Sequence, residues 1–299
     1  MKRAVFERRV NMMSNASPPN KPAGRFRRYA LRGIAGLALI AATAAFAVWG
    51  TAQWRLHTQW DANVTPLKVQ PSASLVAEGE RAFRVFGCWG CHHDAGNVLF
   101  EAPNGGRLVA PNISRRAADY SVVELVRLIR RGVKQDGTTA IVMPASELGR
   151  MSDQDVAAVV SYVRSLPERP DEVTSSTQWG PLGYIALASG KVDLSAAIAP
   201  TSDPPVVRPK EGEGEYLVSA ICRGCHELDT AYDNGFGMKT PPLRAMVKAY
   251  SLDQFRHLMR TGEGAGGRDL GTMTRVAQTG FSYFTDGEID AIHHYLNAS

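Results

Sequence analysis

The sequence has very little cysteine. Only four of its 299 residues are cysteine, and all four lie in two pentapeptides, CWGCH at residues 88–92 and CRGCH at residues 222–226. No thiol is left outside these motifs, which excludes any chemistry that needs a further cysteine. Aromatic residues are also scarce at 8%, whereas glycine and proline number 28 and 17. This composition favours small, loop-rich domains over one large sheet, and the length suffices for two of them.

Acidic residues are nearly absent from the first 32 positions, which hold nine lysines and arginines and one acid, Glu7. The whole chain has 34 basic and 29 acidic residues and a net charge of +5. Subtracting the first 32 positions leaves 25 basic and 28 acidic residues, so the remainder carries −3. The pI of about 9.1 therefore does not indicate a nucleic-acid partner, because the positive charge is confined to one end.

Charged residues are entirely absent from residues 33–54. About 20 apolar residues at ~1.5 Å each span the ~30 Å hydrocarbon core of a bilayer. Because basic segments stay in the cytoplasm, the sequence predicts a single-pass anchor in the cytoplasmic (inner) membrane, with the amino terminus inside and everything after Arg55 in the periplasm. A cleaved signal peptide ending at residues 45–47 (AFA) is the alternative.

The two pentapeptides are C-x-x-C-H motifs, the attachment signature of c-type haem. Two thiols at this spacing reach the two vinyl groups of one porphyrin, and the histidine that follows can then ligate the iron. The sequence predicts two covalently attached haem c groups, one held by Cys88, Cys91 and His92 and one by Cys222, Cys225 and His226. A shared zinc site or two dithiol redox pairs are the alternatives. Both leave the two histidines unexplained, and a zinc knuckle would place its cysteine pairs much closer than about 130 residues.

The part of the sequence beyond the anchor repeats once. Several residues recur 130 positions later: Pro111, Tyr120 and Gly132 as Pro241, Tyr250 and Gly262. In each repeat a short helix leads into the motif, an amphipathic helix ends at the recurring glycine, and a last helix begins at Ser152 or Thr285. The predicted fold class is therefore all-α, with two tandem domains after a transmembrane helix.

The predicted division of the chain has six parts. They are a basic cytoplasmic tail (1–32), the transmembrane anchor (33–54), a juxtamembrane linker (55–71), a first domain (72–166), an extended interdomain linker (167–209) and a second domain (210–299). We refer to residues 72–166 as the first repeat and to residues 210–299 as the second repeat.

The sixth position of a haem iron decides its role. Methionine there gives an electron carrier of raised potential, whereas an open position binds or activates small molecules. Met143 and Met273 precede the last predicted helix of each repeat and are again 130 residues apart. We predict that both are iron ligands and that both lie in loops. The competing methionines are Met151 for the first haem and Met238, Met246 and Met259 for the second.

The proximal histidines need a partner for their second ring nitrogen. A backbone carbonyl near Pro111 or Pro241 is predicted to accept that N–H, which fixes the ring and makes it a better donor to iron. The remaining histidines are not predicted to ligate iron: His57, His93, His257, His293 and His294.

Several segments of the sequence together resemble those of a known protein family. They are residues 111–114 (PNIS), 131–137 (RGVKQDG), 143–144 (MP), 152–155 (SDQD) and 180–183 (GPLG). With C-x-x-C-H, a proline loop and a methionine before a terminal helix, both repeats resemble class I cytochrome c domains. Residues 75–299 are similar to the membrane-bound dihaem and multihaem cytochrome c subunits of periplasmic alcohol, aldehyde and sugar-acid dehydrogenases. The sequence departs from this group in two ways. Such subunits often carry three haems, whereas this chain has two C-x-x-C-H motifs, and Thr274 rather than proline follows Met273.

The predicted function is electron transfer without bond-making catalysis. A periplasm-facing dihaem c-type cytochrome would pass single electrons between a donor dehydrogenase or quinol-oxidising complex and a terminal acceptor. A peroxidase-like dihaem enzyme is one alternative, since it needs only one displaceable sixth ligand. An integral cytochrome subunit of a terminal oxidase is another. An enzyme with cysteine as a haem ligand is disfavoured because no thiol remains.

Overall fold

The computed structural model describes residues 23–93, 96–171, 173, 176–202, 204–233 and 239–298. Residues 1–22 of the predicted basic tail lie outside the described residues, and so does the competing ligand Met238. The chain divides into two compact units between Val48 and Trp49.

The predicted anchor lies within one long helix, α1, which spans Ala23–His57. Of the described residues, one helical segment, Phe26–His57, is long and apolar enough by length and composition to cross a membrane. The last turns of α1 belong to the second compact unit. There, Ala52 is fully buried in a small cluster with Leu187 and Leu194.

The helices of the two repeats follow in chain order. The first repeat contains α2 (Ala73–Val85), α3 (Cys88–His92), α4 (Ile113–Arg116), α5 (Val122–Arg131), α6 (Ala145–Leu148) and α7 (Asp153–Ser165). The segment between the repeats contains α8 (Pro181–Ala188) and α9 (Ser195–Ile198). The second repeat contains α10 (Glu213–Ala220), α11 (Leu243–Val247), α12 (Leu252–Thr261), α13 (Thr272–Thr279) and α14 (Asp286–Asn297). The predicted interdomain linker is therefore partly helical rather than extended.

Small β-elements accompany the helices, which the all-α prediction omitted. The strands are β1 (Asn97–Ala102), β2 (Gly106–Ala110), β3 (Gln178–Trp179), β4 (Tyr232–Asp233), β5 (Lys239–Thr240), β6 (Glu263–Gly264) and β7 (Arg268–Asp269). They form an antiparallel sheet in the order β1-β2-β3 and two hairpins, β4-β5 and β6-β7. Strand β3 comes from the linker, so only the folded chain brings it beside β2, and local sequence patterns did not reveal this pairing.

The amphipathic helices α5 and α12 begin and end as the repeat predicts. Each starts with a reciprocal capping box: Ser121 with Glu124 at α5, and Ser251 with Gln254 at α12. Each ends at a left-handed glycine, with φ of 63° at Gly132 and 80° at Gly262. The two repeats therefore share local backbone structure as well as sequence spacing.

The first and last helices of each repeat cross at a glycine. A Cβ at Gly79 of α2 would lie 2.7 Å from the carbonyl carbon of Ala158 in α7. A Cβ at Gly214 of α10 would lie 2.6 Å from the carbonyl carbon of Ala291 in α14. Tyr162 and Tyr295 also border these crossings. The same close helix packing thus occurs twice, and only glycine leaves room for it.

We expect alanine at either crossing to push the helices apart. Gly79→Ala and Gly214→Ala should each lower the free energy of unfolding by about 1–3 kcal/mol or more, because the methyl group overlaps the backbone of the facing helix. Chemical denaturation measures this change. Gly287→Ala is the matched control, because the nearest atom to its Cβ is 4.0 Å away, and it should be neutral or stabilising by up to about 1 kcal/mol. Equal stability of Gly79→Ala and Gly287→Ala would disprove the close crossing.

The hydrophobic core is contiguous across the two repeats. One cluster of buried side chains includes Phe86 and Val159 of the first repeat and Leu217 and Ile292 of the second. The rings of Phe86 and Tyr216 lie 6.5 Å apart, edge to face. The repeats therefore pack directly against each other.

Candidate haem-attachment sites

The first motif forms the short helix α3. It begins after Gly87, whose left-handed φ of 77° turns the chain out of α2 into the motif. The ring nitrogen Nδ1 of His92 lies 3.0 Å from the carbonyl oxygen of Pro111. A carbonyl only accepts, so Nδ1 carries the proton and Nε2 carries the lone pair. The predicted role of the Pro111 carbonyl is therefore present in the structure.

The second motif repeats this contact on a slightly different backbone. Cys222–Gly224 form a 3₁₀ turn after α10 rather than an α-helical turn. Nδ1 of His226 lies 2.9 Å from the carbonyl oxygen of Pro241. Nε2 of His226 is thereby the free acceptor, as in the first motif. Both histidines are in the tautomer that a metal-ligating imidazole needs.

Burial keeps the first histidine neutral. Burial is the largest cause and lowers the pKa of His92. The hydrogen bond to Pro111 raises this pKa, and the neighbouring His93 lowers it further. An imidazole that is unprotonated at Nε2 near pH 7 can donate its lone pair to iron without first losing a proton.

The thiols do not fit the redox or zinc alternatives. Burial, with a smaller contribution from the adjacent thiol, raises the pKa of Cys88 and of Cys222 to about 12. Redox-active C-x-x-C pairs need a lowered thiol pKa. Among the residues that the structure describes, no three His, Cys, Asp or Glu side chains gather where they could hold a metal ion. Within the described part of the chain, the two cysteine pairs therefore do not come together in a cluster of the kind that zinc needs.

The predicted methionine ligands occupy different local structures. Met143 is half-buried and precedes α6 in a non-helical segment, as expected. Met273 is also half-buried, but it lies in the first turn of α13, so the prediction of a loop at Met273 was wrong. The glycine-rich sequence before it forms the β6-β7 hairpin and ends at Gly271, after which the helix begins. Both ligand assignments stay predictions.

The competing methionines are mainly core residues. Met151 is 0% exposed and Met259 is 2% exposed, and both lie in the main hydrophobic cluster. Met246 lies in α11 and packs at the edge of that cluster. These positions agree with core packing.

Two strained residues adjoin predicted ligands. Among the described residues, three non-glycine residues have positive φ: His93 at 47°, Asn104 at 60° and Val142 at 62°. His93 follows His92 and Val142 precedes Met143. A β-branched residue is rarely found in this conformation, and such strain concentrates at functional sites.

Buried donors without acceptors are present near the first repeat. Nε1 of Trp60 and Nε of Arg127 are buried and have no hydrogen-bond partner. The backbone N–H of Trp60 donates to the carbonyl of Gly137, and Nη2 of Arg127 donates to the carbonyl of Lys134, so both residues contact the segment 134–137. A carboxylate such as a haem propionate is the kind of acceptor that these donors need. Both donors thus suit such a carboxylate. Residues 60 and 127 are far apart in the sequence, so no local pattern marks them.

Each motif lies against the other repeat. Arg84, just before the first motif, stacks over Trp89 at 4.3 Å and faces the ring of Tyr283 at 5.5 Å. A Cβ at Gly224 in the second motif would lie 3.5 Å from Cγ of Glu147 in α6. The two attachment motifs therefore both border the contact surface between the repeats.

A comparison with family models identifies the class of the first repeat. Residues 76–167, which contain the first motif, match the model described as Cytochrome c. This segment is a cytochrome c domain, and such a domain implies covalent haem c.

Particular relatives extend the similarity toward the second motif. The cytochrome c subunit of alcohol dehydrogenase (quinone) from Gluconacetobacter polyoxogenes is 24% identical over 279 residues, which cover 78% of this chain and 58% of the relative. The corresponding subunit from Gluconobacter oxydans (strain 621H) is 26% identical over 197 residues, covering 59% of this chain and 37% of the relative. The fructose dehydrogenase cytochrome subunit of Gluconobacter japonicus is 23% identical over 244 residues, covering 71% of this chain and 50% of the relative.

This chain spans about half the length of the curated relatives it matches. These homologues are electron-transfer components rather than catalytic enzymes. They support the electron-transfer prediction over the dihaem-enzyme alternative.

Proposed function

We propose that the chain is a membrane-tethered, periplasm-facing dihaem c-type cytochrome. It transfers single electrons between a donor dehydrogenase or quinol-oxidising complex and a terminal acceptor. The observation that carries this proposal is the matched pair of histidines. His92 and His226 each follow a C-x-x-C pair, and each directs Nδ1 at a proline carbonyl, 3.0 Å and 2.9 Å away.

The second haem is supported by the parallel architecture of the second repeat. It has the same glycine crossing at Gly214, the same capped helix α12 and the same proline contact as the first repeat. A zinc or redox role would require none of these matches. We therefore assign Cys222, Cys225 and His226 the same role as Cys88, Cys91 and His92.

The chain's own residues bind, orient and insulate the cofactors. Each cysteine pair fixes the porphyrin edge, and each histidine offers Nε2 as the proximal ligand. Met143 and Met273 are the proposed distal ligands, and the buried donors Trp60 and Arg127 are proposed to hold a propionate. When bound, haem supplies the one-electron redox change.

The membrane anchor is proposed from α1. The apolar segment is free of charge between residues 33 and 54, and nine basic residues precede it. We place the amino terminus in the cytoplasm and the haem domains in the periplasm by the distribution of positive charge. A dehydrogenase is the proposed donor because the relatives include subunits named for alcohol and fructose dehydrogenases.

Haem stoichiometry tests the proposal. The full chain, expressed in a bacterium that attaches haem c, should be recovered in the membrane fraction with two covalent haems per chain by pyridine haemochrome assay. Both haems should be reducible without peroxidase activity. One haem per chain, with zinc or free thiols at residues 222 and 225, would contradict the dihaem assignment, and a soluble chain starting near Val48 would contradict the anchor.

A further inference from the structure

A buried arginine joins the two repeats. The guanidinium of Arg208, from the segment between them, contacts Oδ1 of Asp155 at 2.6 Å through Nη2 and Oδ2 at 3.3 Å through Nε. Its Nη1 pairs with Oε1 of Glu288. The side chain of Arg208 is 13% exposed, and those of Asp155 and Glu288 are 2% and 4% exposed. One cation thus bridges one carboxylate from each repeat.

The two carboxylates occupy equivalent positions. Asp155 lies three residues after Ser152, which caps α7, and Glu288 lies three residues after Thr285, which caps α14. Both caps are closed by hydrogen bonds from the backbone N–H of the acid to the capping hydroxyl. Arg208 therefore binds the N-terminal ends of the last helices of both repeats at once.

A second pair of contacts crosses between the repeats. Arg81 of α2 donates to Glu288 of the second repeat at 2.8 Å. Tyr216 of α10 donates to Asp155 of the first repeat at 2.6 Å. Arg81 and Tyr216 follow the matching dipeptides 79–80 (GE) and 214–215 (GE) of the two repeats. The acid of each repeat is thus held by the helix that leads into the other repeat's motif.

These contacts keep Glu288 charged. Burial alone would raise the pKa of Glu288, but the N–H of Thr285 and the charges of Arg81 and Arg208 hold it below its ordinary value. Burial would lower the pKa of Arg208, yet Asp155 and Glu288 raise it. A buried ion network adds little net stability compared with apolar packing. It favours one packing arrangement of the helices, because each buried charge needs its partner in place.

We propose that Arg208 is a positioning residue that fixes the two haem-attachment motifs relative to each other for electron transfer between them. This inference rests on the dihaem function proposed above. Helix α2 reaches Cys88 within three residues of Val85, and α10 reaches Cys222 within two residues of Ala220. Loss of the Arg208 bridge lets α7 and α14 separate, and the two motifs then sample a wider range of distances.

The test replaces Arg208 by methionine, which keeps the length and removes the charge, and by lysine, which keeps only a point charge. The control is Arg115→Met, because Arg115 is 49% exposed and pairs with Glu168 and Asp171 outside the interface. Spin labels at Val123→Cys and Asp253→Cys, equivalent exposed sites on α5 and α12, report the distance between the repeats by double electron–electron resonance.

The Arg208→Met variant should keep two haems with unchanged absorption spectra. Its label-to-label distance distribution should broaden, and electron equilibration between the haems after photoreduction should slow by about tenfold or more, since small losses of geometry reduce rates steeply. Arg208→Lys should give a smaller change, and Arg115→Met none.

A narrow, unchanged distance distribution in Arg208→Met overturns the proposal, and so does an unchanged rate. If Arg208→Met loses haem or unfolds, Arg208→Lys decides, because broadening in a folded lysine variant supports the bridge and an unchanged distribution refutes it. A wild-type chain with one haem refutes the dihaem function instead. The distance measurement remains valid in that case, so the two failures are distinguishable.

Discussion

Replacing Cys222 by alanine should remove the second haem and unfold the second repeat. A domain of about 90 residues with so much loop has little apolar core of its own, so a covalently held porphyrin would be a large part of that core. The haem content should fall by half, and residues 210–299 should become sensitive to protease, with a matching loss of helical circular dichroism. Cys88→Ala should have the same effect on the first repeat.

Arg223→Ala is the matched control for this experiment. Arg223 lies inside the same motif, but its half-exposed ion pair with Glu227 at 3.1 Å contributes only about 0–1 kcal/mol. It should keep both haems and wild-type protease resistance. Normal helicity and protease resistance in Cys222→Ala would show that the second repeat folds without its cofactor.

Replacing each predicted distal methionine by histidine should lower one redox potential at a time. Axial ligands set haem potentials over about 0.8 V, and bis-histidine ligation lies below histidine–methionine ligation, so each substitution should lower its own potential by roughly a tenth to a few tenths of a volt. Spectroelectrochemical titration of Met143→His and Met273→His measures these shifts. Met259→Leu, at a buried core position, should leave both potentials unchanged and cost less than about 1.5 kcal/mol of stability.

Added cyanide or imidazole should displace Met273 before Met143. Helix α13 begins at Thr272 with no side-chain cap, so the backbone N–H groups around Met273 lack a capping acceptor. Met143 lies in a segment held by a hydrogen bond from Val142 N–H to the carbonyl of Asp193 at 3.1 Å. If the first haem binds the added ligand more readily, or the native second haem is high-spin, the assignment of Met273 is wrong and a dihaem enzyme becomes the better hypothesis.

Local features of the fold were predictable because local sequence specifies them. The capped helices α5 and α12 and their glycine ends follow from hydrogen bonds within a few residues. The proline carbonyls behind His92 and His226 followed from what a ligating imidazole requires. The family resemblance added the class of domain, which the match of residues 76–167 supports.

Features that depend on distant parts of the chain were not predictable. Strand β3 pairs with β2 across about 70 residues, and no local pattern marks it. Met273 was expected in a loop, yet helix α13 begins one residue before it, and Thr274 in the same turn donates to the distant carbonyl of Gly262 at 2.7 Å. Arg208 lies in the predicted linker, and its contacts depend on two carboxylates that come together only when the repeats pack.

The buried thiols have a consequence for biogenesis. A thiol with a pKa near 12 is almost never a thiolate at neutral pH, so the folded chain presents Cys88 and Cys222 as poor nucleophiles. Each motif is also covered in part by the other repeat. If both motifs attach haem as proposed, both thioether pairs should therefore form on the extended chain, before the repeats dock. A chain that folds too early would be a dead-end product, and the order of maturation is as much a requirement of this architecture as the motifs themselves.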